Sequence, residues 1–217
     1  MKILESHMID LESYSRREHF KHFTAMANPF LGVTVNVDVT DLVSFCKKNK
    51  YSFYITFMHA VALAADEVPE MRQRIHDDGI IEYSHGDTSH IESMGNGTYC
   101  YCTLQHYMPF NEYIEYSKKA RIIARSCQGI NEDQNVESEY FITSLPWLHY
   151  SQFSQPFGNP KDSNPCFSWG KFESDYRGRL MMPVTTFVNH ALVDGIHIAT
   201  FYENLNNQII KILKENS

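Results

Sequence analysis

The run from Met181 to His197 constrains this chain more than any other: Met-Met-Pro-Val-Thr-Thr-Phe-Val-Asn-His-Ala-Leu-Val-Asp-Gly-Ile-His. Its first nine residues are mostly apolar or β-branched, so it reads as a strand that stops at His190. Asp194-Gly195 follows four residues later, and a helix begins there. Ile198, Phe201, Leu205, Ile209 and Ile212 recur on one face of that helix. An imidazole at the end of a buried strand, beside a glycine turn, sits where a general base is held rigidly and still meets a substrate. Spacing alone more often gives a plainer result: a hydrogen-bonded loop histidine, with Asp194 capping the helix through its carboxylate.

A chain of 217 residues with 43% hydrophobic content buries one good core, so one α/β domain spanning 1–217 is expected. The net charge of −7 argues against nucleic acid as a partner. No apolar run reaches bilayer length, since the best stretch, 52–65, carries Ser52, Thr56 and His59. The N-terminus lacks the apolar centre of a signal peptide. The five cysteines include Cys100 and Cys102, which alternate with Tyr99 and Tyr101 as strand residues do. No second ligand pair follows at zinc spacing, so no metal site is read here, and a reducing cytoplasm is the expected home.

Along the chain, Ser15 and Glu18 have capping-box spacing and predict a short helix from about residue 16. Residues 32–39 alternate with valine at every second place and predict a half-buried strand. Thr40-Asp41 opens a helix that ends in Lys47-Lys48-Asn49-Lys50, whose charges complement the helix dipole. Ser52 to Val68 is the strongest helix, stopped by Pro69, and its His59 reads as a packing residue. Short strands are expected over 79–106, with a turn at Gly95-Asn96-Gly97, and an amphipathic helix over 110–126. Residues 128–138 look like a loop. A β-branched strand leads into Pro146-Trp147, a Gly/Pro/Asn-rich loop covers 152–166, and a hairpin turns at Asp175-Tyr176-Arg177-Gly178.

Several of these stretches, in order, resemble the chloramphenicol acetyltransferase family. Asn189-His190-Ala191-Leu192-Val193-Asp194-Gly195 is similar to its His-His-x-x-x-Asp-Gly signature, which is shared more loosely by dihydrolipoamide acyltransferase and peptide-synthetase condensation domains. Arg16-Arg17-Glu18-His19-Phe20, the block from Phe53 to Ile75, Thr143-Ser144-Leu145-Pro146-Trp147 and the Phe167–Phe172 hairpin strand resemble further family blocks. The resemblance implies a coenzyme A-dependent acyltransferase fold, a mixed sheet flanked by helices, in a homotrimer with active sites at subunit interfaces. It implies acetyl transfer from acetyl-CoA to a small-molecule hydroxyl acceptor, with no metal, no nucleic acid and no membrane.

By the same resemblance His190 is the general base, and Arg16 pairs with Asp194 to hold the strand–helix corner. Thr143 stands where the family has an oxyanion-donating serine; its methyl stiffens χ1 while the hydroxyl is kept. Ser144 would point to the opposite face of the strand. Tyr99, Thr24, Phe30 and Ser168 match acceptor-side positions, and Lys171 and Phe172 match the coenzyme A channel. Asn189 replaces the first histidine of the signature, and Thr24-Ala25-Met26-Ala27-Asn28-Pro29-Phe30 differs from the drug-contacting segment of resistance enzymes. Two readings follow: an O-acetyltransferase acting on chloramphenicol or a similar molecule, or a trimeric binding protein of the same fold with weakened catalysis.

Overall fold

Ten strands and five helices alternate along the chain in a computed structural model that describes residues 4–77, 79–95, 97–126 and 136–216. In order they are β1 (Ser6–Ile9), α1 (Arg17–Thr24), β2 (Phe30–Asp38), α2 (Thr40–Asn49), α3 (Phe53–Asp66), β3 (Gln73–His76), β4 (Gly79–Tyr83), β5 (Thr88–Ser93) and β6 (Tyr99–Leu104). Then come α4 (Phe110–Ser126), β7 (Tyr140–Leu145), β8 (Cys166–Gly170), β9 (Glu173–Ser174), β10 (Leu180–Asn189) and α5 (Gly195–Glu215). β1, β4 and β3 form a small antiparallel sheet. The large sheet runs β2-β10-β8-β7-β5-β6, with β9 also on β10. It is mixed, because β7 lies parallel to both β5 and β8 while its other pairs are antiparallel.

Strand parity divides the large sheet into two unlike faces. Ile142, Phe167, Trp169, Val184 and Val188 are buried and form the core with α3 and α5, including Phe57, Phe201 and Leu205. The other face carries Thr143, Ser168, Thr185 and Thr34 in one register row, and β10 lies between β2 and β8. Near the end of that face Gly32 leaves room for a ring, since a Cβ there would lie 2.6 Å from Phe187 Cδ2.

Most predicted elements form, with instructive departures. Ser52 caps α3, accepting from the Ile55 N–H at 3.5 Å, and Lys50 closes α2 in the left-handed region at φ 56°. No capping box forms at α1: its N-cap position is Arg16, which makes no side-chain cap bond. The valine stripe of β2 is only partly covered, with Val37 buried but Val35 36% exposed, because β2 is an edge strand. Within the expected Gly95-Asn96-Gly97 turn, Asn96 lies outside the described residues; the flanking Met94 N–H donates to the Thr98 carbonyl at 3.0 Å. Of the expected 128–138 loop, residues 128–135 lie outside the described residues and Val136–Ser138 make a 3₁₀ turn. Among the described residues no helix is long and apolar enough to cross a membrane.

Candidate active site

β10 delivers His190 to a corner built from three chain segments. The His190 N–H continues the ladder with β2, donating to the Pro29 carbonyl at 2.8 Å. Its Nδ1 lies 3.0 Å from the Val193 carbonyl oxygen, which can only accept. That contact places the proton on Nδ1 and leaves the Nε2 lone pair of the neutral ring available. Phe23 of α1 stacks on the imidazole with centroids 3.9 Å apart, fixing the ring plane. The histidine is half-buried, so a reactant can reach it.

The turn after His190 is held by a carboxylate with two tasks. Asp194 Oδ1 accepts the Gly195 N–H at 2.6 Å, and the His197 ring accepts the Asp194 N–H at 3.0 Å, completing a capping box at the start of α5. Its Oδ2 lies 3.2 Å from Arg16 Nη1, and Arg16 Nη2 also reaches the His190 carbonyl at 3.4 Å. Arg16 and Asp194 thus meet, although the aspartate side chain remains 40% exposed. The Gly195 N–H and the Arg16 guanidinium hold the Asp194 carboxyl below its usual range. Burial lowers the His197 pKa, which keeps that ring neutral and able to accept.

Thr143 belongs to a different place. It lies on β7 beside Ser168 of β8, and Ser168 pairs with Thr185 of β10, which pairs with Thr34 of β2. Thr185 Oγ1 and Thr34 Oγ1 are 2.7 Å apart, and the Tyr150 hydroxyl lies 3.4 Å from Thr185. Ser168 Oγ is buried and has no hydrogen-bond partner among the described residues. A cavity of about 290 Å³ opens over Thr143, lined also by Ser89, Ile91, Tyr101, Glu139, Phe141 and Gln155.

Within one chain the histidine and this cavity do not meet. Five residues of β10 separate His190 from the Thr143 row, roughly 17 Å at about 3.3 Å per residue, and Thr143 lies two strands away, roughly 10 Å more. Of the other expected residues, Phe30 lies near the His190 end, stacked on Phe157 at 4.0 Å. Thr24 there turns its hydroxyl to the Phe20 carbonyl at 2.7 Å. Tyr99 stands outside the cavity, 43% exposed, with Tyr101 taking the lining position on the same strand face. Lys171 is exposed beyond the end of β8, its Nζ 3.8 Å from Glu173, and Phe172 packs edge-on against Phe53 at 5.8 Å. Sequence reasoning missed Phe23, His197, Tyr101, Glu139 and Gln155. The Asp-x-x-His spacing at 194–197 and the alternation of Glu139, Phe141 and Thr143 were signals in the sequence; nothing local marked Phe23 or Gln155.

Comparison with known proteins bears on the whole chain. A sequence model described as chloramphenicol acetyltransferase matches residues 4–206. The chain is 26% identical over 212 residues to chloramphenicol acetyltransferase 2 of Escherichia coli, covering 95% of this chain and 98% of that protein. It is 27% identical over 216 residues to chloramphenicol acetyltransferase 2 of Haemophilus influenzae, with the same coverage of 95% and 98%. A solved chloramphenicol acetyltransferase superposes with a TM-score of 0.82 at 25% identity, covering 94% of this chain and all of that one. A probable dihydrolipoamide acetyltransferase from Listeria monocytogenes shares the fold at a TM-score of 0.65 and 20% identity, over 94% of this chain and 95% of its own.

Proposed function

This chain belongs to the chloramphenicol acetyltransferase family, and from that premise we propose that it is an acetyl-CoA-dependent O-acetyltransferase acting on a small hydroxylated acceptor, chloramphenicol or a similar molecule. The observation that carries the reading is the His190 ring, whose Nδ1 is held by the Val193 carbonyl so that Nε2 can accept a proton. His190 Nε2 removes the proton from the acceptor hydroxyl as its oxygen attacks the thioester carbonyl. The Thr143 hydroxyl donates to the oxyanion of the tetrahedral intermediate. Collapse breaks the C–S bond, and the protonated His190 returns its proton to the departing thiolate. Coenzyme A lies along Lys171 and Phe172, whose ammonium and ring suit phosphate and adenine, and Ser168, beside Thr143, holds an active-site water.

The separation of His190 from Thr143 supports a homotrimer in which the histidine of one copy completes the cavity of the next, each copy folded as one domain over 1–217. A cytoplasmic location suits acetyl-CoA as donor. A binding protein of the same fold has no use for a base held with one nitrogen free, so the transferase reading is preferred. The test is thiol release from acetyl-CoA with chloramphenicol and a panel of other alcohols, wild type beside His190→Ala. Release that depends on His190 supports the reading; equal release by both proteins, or none with any alcohol, ends it.

A further inference from the structure

His190 and His197 are joined through one peptide group. The Val193 carbonyl accepts from His190 Nδ1 at 3.0 Å, and the N–H of the same peptide, that of Asp194, donates to His197 Nδ1 at 3.0 Å. A carbonyl only accepts and a backbone N–H only donates, so the two neutral rings carry opposite tautomers: His190 is protonated on Nδ1 and His197 on Nε2. His197 Nε2 in turn faces Glu70 Oε1 at 3.6 Å, which is ion-pair range rather than a hydrogen bond. Glu70 stands on the 3₁₀ turn Pro69–Arg72 that follows α3. Val193 is buried, and the Glu70 and His197 side chains are half-buried. Among the described residues no carboxylate hydrogen-bonds the His190 ring. The charged groups facing His197 are Glu70, Arg16 and Asp194, and the Arg16 guanidinium is matched by the Asp194 carboxylate.

We propose that His197 is a positioning residue for the base: by accepting the Asp194 N–H it polarises the 193–194 peptide and strengthens the Val193 carbonyl that holds the His190 tautomer, with Glu70 anchoring the far end. The proposal rests on the acetyl-transfer reading for its kinetic consequence, while the tautomer of His190 is independent of that reading. An amide that donates at N–H and accepts at C=O is polarised in the same sense by both bonds, and each strengthens the other by about 10–30%. When His190 Nε2 takes a proton the ring becomes a cation, and its Nδ1–H bond to Val193 becomes charge-assisted. No proton moves along the chain; the peptide transmits polarisation only. The arrangement does through a peptide what a carboxylate on Nδ1 does directly in a Ser-His-Asp triad.

The test reads the His190 ring nitrogens by NMR on histidine-labelled full-length protein, assigned by their loss in His190→Ala, beside steady-state thiol release. With both rings neutral, the wild type should show His190 protonated on Nδ1 and His197 on Nε2. In His197→Leu, checked for folding by a thermal melt, the His190 signals should move toward those of a ring exchanging between tautomers. Its kcat should fall about five- to tenfold with KM for acetyl-CoA and the alcohol unchanged, the effect of about one lost hydrogen bond. His197→Gln, whose amide oxygen takes the Asp194 N–H in a capping box, should restore tautomer and rate, and Glu70→Gln should cost about two- to threefold. An unchanged His190 tautomer in His197→Leu overturns the proposal whatever the rate does, since a mere helix cap lowers the melting temperature without moving that ring. A tautomer shift in a protein that releases no thiol with any alcohol keeps the positioning role and removes the transfer reading. A wild-type spectrum with His190 protonated on Nε2, or His197 on Nδ1, overturns the proposal without any variant.

Discussion

Two imidazoles in this molecule sit in opposite circumstances. His59, midway along α3, is 2% exposed, stacked on Tyr113 with centroids 4.2 Å apart, and its Nδ1 has no hydrogen-bond partner among the described residues. Burial, with His106 and Lys211 nearby, pushes its pKa down to about 3. His190 is half-buried, oriented by a carbonyl on one nitrogen and a phenyl ring on its face, with the other nitrogen open. Both belong to stretches that resemble the same family, and both are stacked on an aromatic ring. The difference teaches that burial alone makes an imidazole inert packing, whereas a fixed tautomer with an accessible lone pair suits the role of base proposed for His190.

The comparison breaks most visibly at His190. His190→Ala should lower kcat by about 10²–10⁴-fold with the thermal melt little changed, as steady-state kinetics and calorimetry on one preparation would read. His59→Phe should leave kcat roughly at the wild-type value; a comparable loss of rate there would erase the distinction. Next in size is the proposed oxyanion donor: Thr143→Val, of similar shape but without the hydroxyl, should reduce kcat by about 10²–10³-fold, and Thr143→Ser should recover most of it.

The pH dependence of stability sharpens the contrast. His59 has a folded pKa below that of the unfolded chain, so its neutral form contributes stability fully present above about pH 6.5. That contribution is lost as pH falls from about 6.5 toward 3, because the unfolded chain takes up a proton that the folded one excludes. Melting temperatures between pH 7 and 4 should therefore fall less steeply in His59→Phe than in wild type. Identical slopes would show that the ring is not held neutral.

The smallest effect concerns the corner around Asp194. Asp194→Ala removes both the cap and the Arg16 pair and should cost about 1–2 kcal/mol, most of it from the cap. Asp194→Asn keeps the cap and loses only a pair whose aspartate is 40% exposed, so it should cost well under about 1 kcal/mol. In a chain of this size the two should differ in melting temperature by about 2–4 °C. A larger loss in the Asn variant would mean that the ion pair, rather than the cap, holds the turn under His190.

The sequence alone determined the local units. The β10 strand, the α5 face, the helix stop at Pro69 and the helix cap at Asp194 were legible because periodicity and capping depend on residues within a turn or two. The meeting of Arg16 with Asp194 was legible only by family resemblance, since no local rule joins residues 178 apart. Where local and long-range preferences competed, the local one lost: Ser15 and Glu18 make no capping box, and the Arg16 guanidinium reaches across to Asp194 instead. Tertiary structure alone decided that Thr143, Ser168, Thr185 and Thr34 form one row, that Tyr101 rather than Tyr99 faces the cavity, and that Glu139 and Gln155 join them. It also decided how far His190 lies from Thr143. These relations follow from strand order and register, which are set when distant segments bury a shared face, and a one-residue slip would send every side chain to the other side.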